Sequence, residues 1–88
     1  MQYSIEFRPG VLKSLKRFPK KDLLRIKKKI EGLGRNLPAP DTTKVQGNNS
    51  FHKIRTGNYR IIYEIHEGKL VILVVKIGHR KDVYKKLP

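Results

Sequence analysis

Five side chains in the second half of the sequence are of types that bind and cleave RNA. Lys53 and Arg55 alternate, Arg60 follows a turn signal, Arg80 follows an apolar run, and Tyr84 lies four residues further on. Residues two apart in a strand point to the same face, so Lys53 and Arg55 are predicted to share one. If the three predicted strands pair as a meander, these five side chains and His79, which precedes Arg80, converge at one end of a sheet.

Such a group suits the cleavage of RNA without a metal ion. In that reaction the ribose 2′-hydroxyl attacks the adjacent phosphorus and the 5′-oxygen leaves. Arginines stabilise the negative charge that develops on the phosphate. A neutral lysine accepts the hydroxyl proton, and a tyrosine stacks on a base or transfers a proton.

Each of these residues also has a plainer interpretation. A Lys-x-Arg pair on a strand is usually a solvated face. Arg60 after a turn and His79 after a strand are more often surface residues than catalytic ones, and Tyr84 could simply pack a terminal helix. A lysine run at residues 27–29 usually keeps a helix face soluble, with contact to an RNA backbone as the sharper alternative. The predicted RNA-binding residues are Lys28, Lys29, His79 and Lys81.

Other kinds of site find no support in the sequence. There is no Gly-rich phosphate loop, and the three histidines, His52, His66 and His79, lie far apart without cysteine partners. The seven acidic residues form no cluster suited to Mg²⁺. We therefore predict no metal site and no cofactor.

The elements that position these residues follow from the hydrophobic period. Alternation over residues 2–7 predicts a strand with Tyr3, Ile5 and Phe7 on one face. Helical spacing predicts a helix from Pro9 to about residue 18, with Val11 and Leu12 facing inward, and a second one over residues 20–32 that includes Leu24 on its apolar side. Gly32 and Gly34 are predicted to stop that second helix.

After a long connection at residues 37–50 the period becomes that of strands. Strands are predicted at residues 51–55, 59–65 and 70–77, with a tight turn at 56–58 and Gly78 as the end of the last. Tyr59 and Tyr63 are predicted to be core residues, and a short helix is predicted near the C-terminus. The order β-α-α-β-β-β predicts an α+β domain, a helical pair packed on one face of an antiparallel-rich sheet. The whole chain, 1–88, is predicted to be one domain.

Composition limits the choice of partner. Twenty-one Lys and Arg against seven acids give a formal charge of +14, so a polyanionic partner is expected. The basic residues are not confined to one amphipathic helix, which argues against a membrane surface. The chain has no cysteine, no signal-peptide core near Met1, and no apolar run longer than residues 70–75. A cytoplasmic protein is the resulting expectation.

Two motifs carry a resemblance to a known family. The sequence FHKIRTGNYRIIYE occupies residues 51–64, and IGHRKDVY occupies residues 77–84. Both resemble the RelE/ParE toxin superfamily, and the order of elements agrees over essentially the whole chain. The superfamily contains ribosome-dependent mRNA endonucleases of the RelE type and gyrase inhibitors of the ParE type.

The resemblance to RelE-type toxins implies metal-independent cleavage of mRNA in the ribosomal A site, with Lys53, Arg55, Arg60, Arg80 and Tyr84 as the catalytic residues. One departure concerns Arg55, which stands where the best-known pattern has a lysine. Arginine keeps its proton near neutral pH, so Arg55 is suited to binding phosphate and not to acting as a base. The base would then be Lys53 or Tyr84, with His79 as a further candidate.

The resemblance also implies partners. It implies an acidic cognate antitoxin, the ribosome with its mRNA, and promoter DNA only through the antitoxin complex. Two alternatives remain open from the sequence: a gyrase inhibitor without RNase activity, and a basic RNA-binding module that does not cleave.

Overall fold

The computed structural model describes residues 3–35, 43–45 and 50–79. The predicted terminal helix, with Arg80, Lys81 and Tyr84, lies outside these residues. The elements, numbered in chain order, are β1 (Ser4–Phe7), α1 (Pro9–Leu15), α2 (Lys20–Arg35), β2 (Thr43–Lys44), β3 (His52–Thr56), β4 (Tyr59–His66), a 3₁₀ turn (Glu67–Lys69) and β5 (Val71–His79). None of the described helices is long and apolar enough to cross a membrane.

The strands form one mixed sheet in the order β1-β5-β4-β3-β2. The pair β1 and β5 is parallel, and the other three pairs are antiparallel. The predicted α+β class and the β3-β4-β5 meander are therefore confirmed. The two-residue strand β2 lies inside the segment that the sequence predicted to be a connection, and β5 runs through Gly78 to His79.

The main core lies between the sheet and the two helices. Ile26, Ile30 and Leu33 of α2 recur every three to four residues and bury themselves against the sheet. Tyr59, at 8% exposure, and Tyr63, at 0%, belong to the same cluster, so the prediction that both are core residues is confirmed. Tyr3, Ile5 and Phe7 pack at its edge, as the alternation predicted.

Two leucines depart from the predicted inward face. Leu12 is 52% exposed and Leu24 is 62% exposed. Leu24 lies two residues before Ile26, and because successive helical residues turn by about 100°, it falls about 200° away from the buried stripe. Val11 and not Leu12 is the buried anchor of α1, a helix of only seven residues that starts at Pro9.

The prediction that Gly32 and Gly34 stop the second helix is wrong, because α2 continues to Arg35. Gly34 instead permits a close approach of β1. Its carbonyl accepts a hydrogen bond from the Tyr3 amide at 2.8 Å, and a Cβ on Gly34 would lie 3.0 Å from the Tyr3 carbonyl oxygen. Gly32 has no such neighbour within 4 Å.

The second face of the sheet has a smaller apolar cluster of Val45, Phe51, Ile62 and Val75. The pairing of β4 with β5 shifts between Ile62 and Tyr63, so Val75 is an extra residue in β5. We call this side, which faces away from α1 and α2, the open face.

Candidate nucleic-acid interface

The open face carries a group of cations on three neighbouring strands. In β3 and β4, Arg55 pairs directly with Arg60, and Lys53 pairs with Ile62. Residues that pair directly point to the same face of a sheet. Lys53, Arg55 and Arg60 are therefore brought together, as the sequence predicted for three of the five catalytic candidates. Arg55 is exposed, whereas Lys53 and Arg60 are half-buried.

The pairing of Arg55 with Arg60 costs stability. Like charges directly opposite each other on adjacent strands repel. In the described part of the chain, the ion pairs that Glu64 makes with Arg8 and His66 on the open face involve neither guanidinium. A costly pair of cations at the end of a hairpin is the arrangement expected where an anion binds.

Sequence reasoning missed a fourth cation on this face. Lys76 pairs with Ile62 on the side away from Lys53, and it is half-buried. The signal was a single lysine inside the apolar run of β5, VILVVKIG. The bulge at Val75 decides its direction, because it places both Val75 and Lys76 on the Ile62 side.

The open face also holds a carboxylate, which lies towards the opposite end of β4 from Arg60. The Ser50 hydroxyl donates to Glu64 Oε2 at 2.8 Å. Arg8 Nη2 lies 3.8 Å and His66 Nε2 lies 3.7 Å from Glu64 Oε1. Four residues of strand separate Glu64 from Arg60, roughly 13 Å at ~3.3 Å per residue. The charge of Glu64 is therefore balanced locally by Arg8, and the arginine pair keeps its positive field.

His79 lies at the same end of the sheet as the arginines but on the other face. It pairs with Tyr59, and the two ring centroids are 4.8 Å apart. Tyr59 also packs on Phe18 at 5.0 Å and donates a hydrogen bond to Asp22 Oδ2 at 2.8 Å. The prediction that His79 converges with Lys53 and the arginines is wrong, because His79 lies on the other face of the sheet. It pairs with Tyr59, and Tyr59 and Arg60 are successive residues of β4, which point to opposite faces.

The environment of the Tyr59 hydroxyl favours its neutral form. The hydrogen bond to Asp22, then burial of the ring, and then the negative charge of Asp22 raise the pKa of Tyr59 above its ordinary value. Tyr59 is thus a fixed donor that ties the start of β4 to the first turn of α2.

The remaining candidates are not part of the open-face group. Lys28 is exposed and Lys29 half-buried on α2, the helix that covers the other side of the sheet. Arg80, Lys81 and Tyr84 lie outside the described residues. No group of three or more His, Cys, Asp or Glu side chains that could hold a metal occurs in residues 3–35, 43–45 and 50–79.

Comparison with known proteins identifies the family. A model described as the ParE toxin of the type II toxin–antitoxin system parDE matches residues 5–84, nearly the whole chain. The chain belongs to the RelE/ParE toxin family. It is therefore a toxin of the type II toxin–antitoxin class.

Individual relatives of the chain carry RelE names. A relative from Methanocaldococcus jannaschii that carries the name RelE1 is 32% identical over 97% of this chain and 98% of its own length. The mRNA interferase toxin RelE of Escherichia coli strain K12 is 27% identical, over 98% of this chain and 94% of the relative. The RelE fold is also confirmed by the archaeal RelE–RelB complex from Pyrococcus horikoshii, with a TM-score of 0.77 and 27% identity over 94% of this chain and 100% of that one.

Proposed function

We propose that this RelE-family chain is a metal-independent endoribonuclease that cleaves mRNA in the ribosomal A site and so inhibits translation. The observation that carries the proposal is the Arg55–Arg60 pair beside Lys53 on the open face. The mRNA interferase name of a relative aligned over 98% of the chain supports the same activity.

The proposed reaction is a transfer within the RNA chain. The 2′-hydroxyl loses its proton and attacks the adjacent phosphorus, the bond to the 5′-oxygen breaks, and that oxygen takes up a proton. Arg55 and Arg60 bind the non-bridging oxygens and stabilise the charge that accumulates there. Arg80 is proposed to add a third guanidinium, and Tyr84 to stack on a base or transfer a proton.

The proton acceptor is proposed to be Lys53. A guanidinium has only donors, so Arg55 serves as a phosphate ligand and not as the proton acceptor. His79 is less suited, because it lies across the sheet from the arginine pair and packs on Tyr59. Lys28, Lys29 and Lys81 are proposed to contact RNA backbone, and a modest catalytic set of this kind would rely on the ribosome to orient the scissile bond.

An acidic cognate antitoxin is the proposed protein partner. The solved archaeal relative from Pyrococcus horikoshii is a complex of RelE with RelB. The +14 charge of this chain suits an acidic chain that wraps it. Promoter DNA is proposed to bind only through that complex. Gyrase inhibition, the alternative, is less favoured because the named relatives are RelE toxins.

The experiment is primer extension on a reporter mRNA in a cell-free translation reaction, with a parallel reaction on naked RNA. New 5′ ends within translated codons are expected with the wild-type chain. Arg60→Gln is expected to reduce cutting about 10²-fold or more, as the loss of one preorganised charge donor does. Arg17→Gln, which removes an exposed arginine outside the open face, is the charge-matched control and is expected to cut normally.

If the mRNA stays intact in an active translation reaction that contains the wild-type protein, the endonuclease proposal is refuted. A supercoiling defect with purified gyrase would then favour the ParE-type function. Equal cutting by Arg60→Gln and Arg17→Gln would instead retain the activity and remove the arginine pair from the site.

A further inference from the structure

A small polar pocket lies at the tip of the β3–β4 hairpin, on the face opposite the arginine pair. Its volume is about 190 Å³, and it is lined by Asp22, Arg25, Thr56, Gly57, Asn58, Tyr59 and His79. Pockets for drug-sized ligands are about 300–1,000 Å³, so this one suits a single small ring system. We call it the hairpin-tip pocket.

The walls of the hairpin-tip pocket combine an acceptor, a donor and exposed ring surface. Asp22 Oδ2 accepts a hydrogen bond from the Tyr59 hydroxyl at 2.8 Å, which fixes the carboxylate in the pocket wall. Arg25, one turn further along α2, also lines the pocket, with Nη1 3.7 Å from where a Cβ on Gly57 would stand. His79 rests on the Tyr59 ring and is itself exposed. Fixed polar groups beside a flat surface are the features of a site for a planar, hydrogen-bonding ligand.

The charges in the pocket narrow the class of ligand. The Asp22 carboxylate repels a phosphate, and Arg25 together with the +14 charge of the chain repels a cation. With anions and cations disfavoured, the expected ligand is a neutral ring that has hydrogen-bond donors on one edge for Asp22 and acceptors on another edge for Arg25. Guanine presents the N7 and O6 acceptors that arginine binds, and it alone among the four bases has two adjacent donors, N1–H and the N2 amino group, for one carboxylate.

We propose that the hairpin-tip pocket binds a guanine base of the RNA. This inference rests on the proposed function, because it takes single-stranded RNA as the substrate. Arg55 pairs with Arg60, and the next pair outward is Thr56 with Tyr59, so the phosphate site and the pocket lie one residue apart along the hairpin and on opposite faces. A strand that bends over the tip places its scissile phosphate at the arginines and a nearby base in the pocket.

The test is an NMR titration of the ¹⁵N-labelled full chain with the four nucleoside 5′-monophosphates. The phosphate is common to all four, so differences between them report on the base. With GMP alone, saturable shifts are expected at the amides of Gly57, Asn58 and His79. Asp22→Asn and Arg25→Gln are each expected to weaken this binding roughly tenfold, the loss from one hydrogen bond to a charged group. Arg17→Gln is the control that leaves it unchanged.

Arg25 is exposed, so its variant should fold even if Asp22→Asn, which alters the Tyr59 hydrogen bond, does not. Equal shifts with all four nucleotides, or GMP shifts that persist in Arg25→Gln, would overturn the inference.

Primer extension with Arg25→Gln in the translation reaction separates this inference from the proposed function. If the pocket reads guanine, that variant still cuts but loses a preference for guanine near the cleavage site. Wild-type cutting without selective GMP binding would overturn the pocket alone. Selective GMP binding without any cutting would overturn the endonuclease and leave the pocket standing.

Discussion

Substituting alanine at two glycines of α2 should change stability in opposite directions. Gly32 and Gly34 lie two residues apart in the same helix, and each alanine gains about 0.5–1 kcal/mol from lower backbone entropy in the unfolded chain. At Gly32 a Cβ meets nothing within 4 Å, so Gly32→Ala should be stabilised by about that amount.

At Gly34 the same gain is opposed by a steric conflict. A Cβ there would lie 3.0 Å from the Tyr3 carbonyl oxygen and 3.5 Å from Ile5 Cδ1. The Tyr3 backbone cannot simply retreat, because its amide donates to the Gly34 carbonyl at 2.8 Å. Overpacking of this kind costs about 1–3 kcal/mol. Both variants gain the same backbone-entropy contribution from alanine. The free energy of unfolding of Gly34→Ala should therefore be lower than that of Gly32→Ala by the overpacking cost, about 1–3 kcal/mol.

Urea unfolding followed by circular dichroism measures both variants against the wild type. The expected gap corresponds to a difference in Tm of about 4–8 °C per kcal/mol for a domain of this size. If Gly34→Ala unfolds within about 0.5 kcal/mol of Gly32→Ala, an ordinary surface effect, then β1 does not pack on α2 as closely as described. A steric role of Gly34 at the contact with Tyr3 would then be refuted.

Three further predictions concern the hairpin. Tyr59→Phe should lower the free energy of unfolding by about 1–2 kcal/mol at neutral pH, because it loses the hydrogen bond to Asp22. Folding raises the pKa of Tyr59, so the stability from this bond is full below about pH 10 and is lost as the pH rises further. The difference between wild type and variant in urea unfolding should therefore narrow at high pH, and a constant difference would contradict this. Gly57→Ala should lower the free energy of unfolding by about 1–2 kcal/mol, because φ is 59° at this position. Gly68→Ala is the control, because Gly68 has no positive φ and a Cβ there meets open space. Equal Tm values for the two variants would argue against strain at the turn. Arg55→Gln should lower the salt dependence of single-stranded RNA binding by about 0.7 in log–log slope and raise stability slightly by removing a like-charge pair, and an unchanged slope would exclude phosphate contact.

Local patterns in the sequence predicted most of the elements. Period-two alternation located β1, β3 and β4, and helical spacing located α1 and α2. Composition indicated a polyanionic partner through the +14 charge. The two motifs led to the family that the comparison then identified. Each of these signals depends only on residue types and their spacing along the chain, which is why the sequence contains them.

The end of α2 could not be read from the chain in this way. Glycine usually signals a stop, but Gly34 serves a contact with Tyr3, thirty-one residues away. Likewise, the sequence of the short helix α1 allows either Val11 or Leu12 to be the buried residue. Only the position of the sheet beneath the helix shows that Val11 is buried and Leu12 is exposed.

The sequence by itself determined that Lys53, Arg55 and Arg60 are cations on adjacent strands of a hairpin, because alternation marks both strands and a tight turn joins them. The register that sets Arg55 opposite Arg60 came from the structure. The tertiary structure decided which further side chains share the face of Lys53 and Arg55. The bulge at Val75 turned Lys76 towards the open face, while strand pairing put His79 on Tyr59, whose hydroxyl donates to Asp22 of a distant helix. The side of a sheet that a residue occupies depends on pairing partners and bulges, and no spacing within one strand contains that information.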